Sequence, residues 1–129
     1  MKLSELKKLI PCQELDIVES VRELRETAQA MADRLAHIPA LYETDGDGSA
    51  QCLLHYFDTR GSADWYIFEL DPETGEAFGF TTLSGDFTDP DAEWGYIWLP
   101  ELTKRARINL DLHFSGITKA EIRHRQRAA

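Results

Sequence analysis

The chain is poor in the residues that do thiol and metal chemistry. Its two cysteines, Cys12 and Cys52, are far apart and have no C-x-x-C spacing. That excludes a disulfide-dense scaffold and a zinc ribbon. Two reduced thiols in a cytoplasmic protein are the expectation, with a single bridge between them as the alternative. The histidines His37, His55, His113 and His124 fall on different stretches, and none stands in H-x-x-x-H spacing. No zinc site is expected from them. There is no G-x-S-x-G, no P-loop and no G-x-G-x-x-G, so no nucleophile elbow or nucleotide cradle is read and no cofactor is expected. No apolar run approaches the roughly 18 residues a membrane span needs. Near the start, Glu5 interrupts Lys2, Lys7 and Lys8, and the apolar residues recur at helical spacing. A secretory leader is therefore not expected.

Positive charge is the other scarcity, and it is local. The net charge is −9. Residues 41–96 hold one base, Arg60, against 13 acids, whereas residues 1–40 hold 6 bases and 7 acids and residues 97–129 hold 7 bases and 3 acids. So acidic a middle repels phosphate backbones, which argues against direct nucleic-acid binding by the core. The tail "RHRQRAA" has the opposite sign and has three uses: touching nucleic acid, folding back on the acidic middle, or framing the end of a helix.

Within 129 residues, one domain is expected. It divides into a helical segment 1–40, a β-rich core 41–116, and a C-terminal helix with a basic tail over 117–129. "KLSELKKLI" places Leu3, Leu6, Leu9 and Ile10 on one face, and Pro11 ends it. In the following stretch Ile17, Val21, Leu24, Ala28, Met31, Leu35 and Ile38 are spaced 4, 3, 4, 3, 4, 3. That pattern predicts one long helix, on the order of 33 Å, closed by Pro39. Its stripe has two uses: packing on the chain's own sheet, or a homodimer seam through residues 17–38.

From Leu41 the period becomes that of strands. "LYET" reads as a short strand, and the tandem Asp-Gly pairs of "DGDGS" read as a loop. "AQCLLHYFD" and "DWYIFEL" follow as strands. Pro72 and Gly75 turn the chain into "FGFTTL", which makes a hairpin of Asp64 to Phe80. Strict alternation sets Trp65, Ile67 and Glu69 on one face and Tyr66, Phe68 and Leu70 on the other. Gly79 marks a place where a neighbouring ring or backbone comes close. "WGYIWL" closes the meander, "PELTKRA" is a short helix and "NLDLHF" a last strand. "TKAE" is a capping box from Thr118 to Glu121. The fold class is therefore α+β: an antiparallel meander of about five strands, N-terminal helices and a short C-terminal helix.

Candidate functional residues are few. "DGDGS" resembles the start of a calcium loop, but Ala50 and Tyr56 stand where it needs Gly and Glu. Cys52 and His55 are three apart in a strand and point to opposite faces, which argues against a nucleophile pair. Glu69, a carboxylate among aromatics, needs a partner or exposure. The loop Ser84 to Glu93 carries Asp86, Asp89, Asp91 and Glu93. With Trp65 and Tyr96 these acids are the candidate binding residues. Two function classes follow. One is a non-enzymatic interaction protein whose acidic surface meets a basic protein partner. The other is a metal-assisted hydrolase of a phosphate-containing substrate, with Glu69 and Asp111 as its carboxylate pair.

"IPALYETD", "DWYIFELDPETGEAFGF", "WGYIWLPELT" and "LDLHF" occur in this order. Together they resemble a family of small bacterial plasmid and mobile-element proteins, domain of unknown function 2958, over roughly residues 30–122. The matching positions include Pro39, Leu41, Tyr42, Phe57, Trp65, Tyr66, Glu69, Phe78 and Gly79, then Gly95, Tyr96, Leu99, Glu101, Leu102, Asp111, Leu112 and Phe114. Family members carry Glu-Arg before the last Asp, where this chain has Asn109 and Leu110, and residues 1–29 lie outside the match. The resemblance implies an accessory role for mobile DNA and supplies no activity.

Overall fold

A computed structural model describes residues 1–128. Five antiparallel strands form one sheet in the order β4-β3-β2-β1-β5. They are β1 (Leu54–Asp58), β2 (Asp64–Leu70), β3 (Glu76–Thr82), β4 (Glu93–Trp98) and β5 (Ile108–Leu110). The helices are α1 (Leu3–Lys7), α2 (Cys12–Ser20), α3 (Arg22–Arg34), α4 (Leu99–Leu102) and α5 (Lys119–Arg127). The α+β class, the N-terminal helices and the short C-terminal helix are as expected, and α4 lies between β4 and β5.

The sheet is covered on both faces. On one, Leu6, Val18, Ala28 and Met31 pack on Leu54, Tyr56, Trp65, Ile67 and Leu70. On the other, Ile117 and Ile122 close over Tyr66, Phe68 and Phe80. Burying each such side chain stabilises the fold by roughly 1.5–3 kcal/mol.

The predicted long helix is two helices. Val21 is extended (φ −103°, ψ 116°), so α2 ends at Ser20 and α3 begins at Arg22. Arg25 Nη1 donates to the freed Glu19 carbonyl at 2.6 Å. Across the break α2 and α3 pack against each other and turn apolar residues into the same core. Ala28, Met31 and Leu35 therefore reach the core, while Ile17 and Val21 stay exposed. "LYET" also differs from expectation: residues 41–46 form successive turns rather than a strand.

The hairpin of β2 and β3 forms as expected, with Gly75 at φ +80° in its turn. Its alternation does not hold. A bulge between Ile67 and Glu69 lets Glu69 oppose Phe78 and Leu70 oppose Ala77. Leu70 thereby joins Trp65 and Ile67 under the N-terminal helices, and Glu69 turns toward α5. Gly79 sits opposite this irregularity, where a Cβ would lie 1.8 Å from the Tyr66 carbonyl oxygen. Only glycine fits there.

Candidate functional site

Glu69 is 1% exposed, and its carboxylate is fully engaged. It accepts the N–H groups of Tyr42 and Thr44, each at 2.8 Å, and the Thr44 hydroxyl. Lys119 Nζ, 2% exposed at the start of α5, lies 3.8 Å away and donates to the Thr44 carbonyl at 3.2 Å. Burial pushes the Glu69 carboxyl up. The bonds from Thr44 and Tyr42 and the Lys119 charge outweigh it and hold the group below its ordinary range. The network also fixes Tyr42, a non-glycine residue at φ +72°. Glu69 therefore pins the 41–46 turns and α5 to the sheet, and it is not available to a ligand.

Asp111 belongs to a different cluster. His55 Nε2 lies 2.7 Å from Asp64 Oδ1, and Nδ1 lies 3.4 Å from Asp111 Oδ2. The ring stacks on Tyr66 with centroids 4.6 Å apart. Glu69 and Asp111 are thus separately paired, and no carboxylate couple forms between them. The His55 cluster lines a cleft of about 430 Å³ with Phe57, Asp58 and Ser62. Both ring nitrogens of His55 face carboxylates, the closer contact being the one to Asp64. Cys52 is buried, and its Sγ lies 3.1 Å from the Leu54 carbonyl. Burial drives its thiol well above the ordinary range and leaves it unreactive. Among the described residues, no group of three or more His, Cys, Asp or Glu side chains is arranged to hold a metal ion.

The two edges of the sheet are treated differently. At β5, Gln13 Nε2 donates to the Ile108 carbonyl at 2.9 Å, and Glu14 Oε1 accepts the Leu110 N–H at 2.7 Å. Side chains from α2 thus stand in for a missing strand. The cost shows at Glu14, whose carboxyl is raised to about 7 by burial, with the nearby Asp111 charge adding to it and the Leu110 bond working against it.

At β4 no such cover is present among the described residues. The Leu99 N–H bonds to the Gly75 carbonyl at 3.0 Å, which sets the phase of the ladder. Stepping back in twos, Ile97, Gly95 and Glu93 turn their backbone groups toward β3. Trp94 and Tyr96 turn theirs to the free side. On one face of this strand Tyr96 is 54% exposed and Trp98 49%, with Tyr42 beside them at 64%. The Tyr42 and Tyr96 hydroxyls are hydrogen-bonded. That bond, with burial and the charges of Glu76 and Asp45, pushes Tyr96 up to about 12. The surface around Tyr96 is therefore aromatic, with Glu76 and Asp45 near it and Arg105 and Arg123 flanking the strand.

Of the residues singled out in the sequence, Tyr96, Asp91 and Glu93 lie exposed at or beside β4. Asp86 and Asp89 precede them and cap local turns, accepting the Thr88 and Asp91 N–H groups at 2.8 and 2.9 Å. Trp65 is buried in the first core and presents nothing to a partner. Sequence reasoning missed Trp98 and Tyr42 as surface aromatics, and His55 and Glu14 as partnered polar groups. The Trp94-x-Tyr96-x-Trp98 alternation was the available signal for the exposed row. No family model, no curated protein and no solved structure matches the chain.

Proposed function

We propose that the chain is a non-enzymatic interaction protein that takes a basic protein partner on the aromatic, acidic surface along β4. The observation that carries this reading is the open edge itself. Aromatic side chains stand exposed there in the field of Glu76 and Asp45, with Asp91 and Glu93 at the strand's start. Aromatic rings beside carboxylates favour lysine and arginine, through ring faces and ion pairs together. The net charge of −9 draws such a partner in and keeps nucleic acid away.

The resemblance to small plasmid proteins supports a DNA-handling protein as the partner, and an accessory role for a mobile element. Two free cysteines, one of them buried, fit a reducing cytoplasm. Among the described residues no helix is long and apolar enough to cross a membrane.

A synthetic octapeptide alternating lysine and threonine is the probe. Its binding is followed by tryptophan fluorescence of the full chain. Binding should weaken about tenfold when Tyr96 and Trp98 are both changed to Ala, the loss of two half-exposed ring contacts. It should also weaken with added salt. Equal binding by this variant and the wild type would refute the reading.

A further inference from the structure

Resting on that reading, we propose that the partner binds as an extended basic segment that adds a sixth, antiparallel strand to the sheet beside β4. Three observations carry it. The first is the contrast between the edges. An uncovered strand edge invites unwanted pairing, and proteins usually cover it. This chain closes β5 with Gln13 and Glu14 and tolerates a carboxyl raised to about 7 to do so. At β4 the backbone groups of Trp94 and Tyr96 face outward, and no strand lies beyond them among the described residues.

The second observation is the bareness of the strand's centre. Gly95 has no atom within 4 Å of where a Cβ would stand, so the face of the sheet opposite Tyr96 is open at the strand's midpoint. Side chains of an added strand have room on that face. Trp94 anchors the strand from within, since its ring packs on Phe68 and Phe80 and its Nε1 donates to Gln126 at 3.0 Å.

The third is charge. Side chains of an added strand alternate between faces, so every second residue lies along Tyr96 and Trp98. That face carries Glu76, which opposes Trp98 across the ladder, and the Asp45 charge near Tyr96, while Arg123 lies over the Trp94 ring at the strand's other end. Lysine or arginine at alternate positions would meet the rings and the carboxylates at once. A second copy of this chain is disfavoured as the occupant, because its β4 would bring Glu93 and a body of net charge −9 against the same acids.

The test uses the full chain, the lysine–threonine octapeptide, and the same peptide N-methylated on alternate residues. N-methylation removes backbone donors and keeps the charges. Strand addition predicts that the unmodified peptide slows amide exchange at Trp94 and Tyr96 at least about tenfold, and that the N-methylated peptide binds about tenfold more weakly. Tyr96→Pro, which removes an outward donor without breaking the bond to β3, should cost more affinity than Tyr96→Ala. If that variant does not fold, the exchange and N-methyl results decide alone. Equal binding of both peptides with no protection at Trp94 and Tyr96 overturns strand addition and leaves the acidic surface reading standing. No binding of either peptide overturns both. Protection of these two amides before any peptide is added, with the mass of a dimer, makes a second copy the occupant and overturns the proposal.

Discussion

Glu14→Gln isolates one ionisation and one hydrogen bond. The Gln amide oxygen can still accept the Leu110 N–H that Glu14 accepts at 2.7 Å, so the β5 edge stays closed. Only the charge is removed. The Glu14 carboxyl titrates near 4.5 in an unfolded chain and at about 7 in the folded one. Between those values the folded state holds the extra proton, so the wild type loses stability as pH rises through that window. Below 4.5 the contribution is intact, and above 7 it has gone. At full weight the difference is about 3 kcal/mol. The group is only half-buried and solvent screens it, which leaves about 1–2 kcal/mol. Urea unfolding of both proteins at pH 4.5 and pH 8.5 reads this directly. Glu14→Gln should match the wild type within a few tenths at the lower pH and exceed it by about 1–2 kcal/mol at the higher. Equal stability at both, or a less stable Gln protein at pH 8.5, would refute the placement of Glu14 against β5.

Gly79→Ala should destabilise the fold by about 3 kcal/mol in the same assay, because its Cβ meets the Tyr66 carbonyl oxygen at 1.8 Å. Lys119→Met leaves the Glu69 carboxylate buried without its cation. It should cost about 3–5 kcal/mol, with faster amide exchange at Tyr42 and Thr44. Glu69 is held below its ordinary 4.5, so its contribution is present above that pH and is lost as pH falls through the lower folded value. Acid should therefore release the 41–46 turns, read as exchange at the same two amides. Light scattering should give a monomer near 14.7 kDa. Ala28, Met31 and Leu35 are already spent on the chain's own core, and Ile17 and Val21 alone make no dimer seam. A dimer that Ile17→Glu dissolves would contradict this.

What could be seen in the sequence was what local chemistry decides. The hairpin of β2 and β3 follows from alternating apolar residues around Pro72 and Gly75. The capping box does too, with Thr118 accepting the Glu121 N–H at 3.1 Å and Glu121 accepting the Thr118 N–H at 3.3 Å. The close approach at Gly79 was also legible. The break at Val21 was not, because heptad spacing runs straight through it. Glu69 was singled out correctly as a carboxylate that must be partnered, but it was assigned to the wrong face, since one bulged residue reverses every later side chain. Residues 41–44 were read as a strand because the backbone partner of their turns is the Glu69 side chain, 25 or more residues on. The closing of β5 joins residues far apart in the chain: Gln13 and Glu14 reach positions 95 and 96 residues away. No window of sequence holds such a pair. Tyr96, Asp91 and Glu93 were legible as surface, but the openness of β4 is a property of the strand order.

If a basic partner sits on β4, and not on another part of this acidic protein, amide chemical shifts will locate it residue by residue. The isotope-labelled chain is titrated with the lysine–threonine octapeptide, and the responding residues are read off. Shifts should concentrate at Glu93 to Trp98 and at Tyr42 and Glu76, with Ile108 to Leu110 and the His55 cleft silent. Shifts centred on β5 or on His55, or spread evenly over all the surface acids, would contradict that placement.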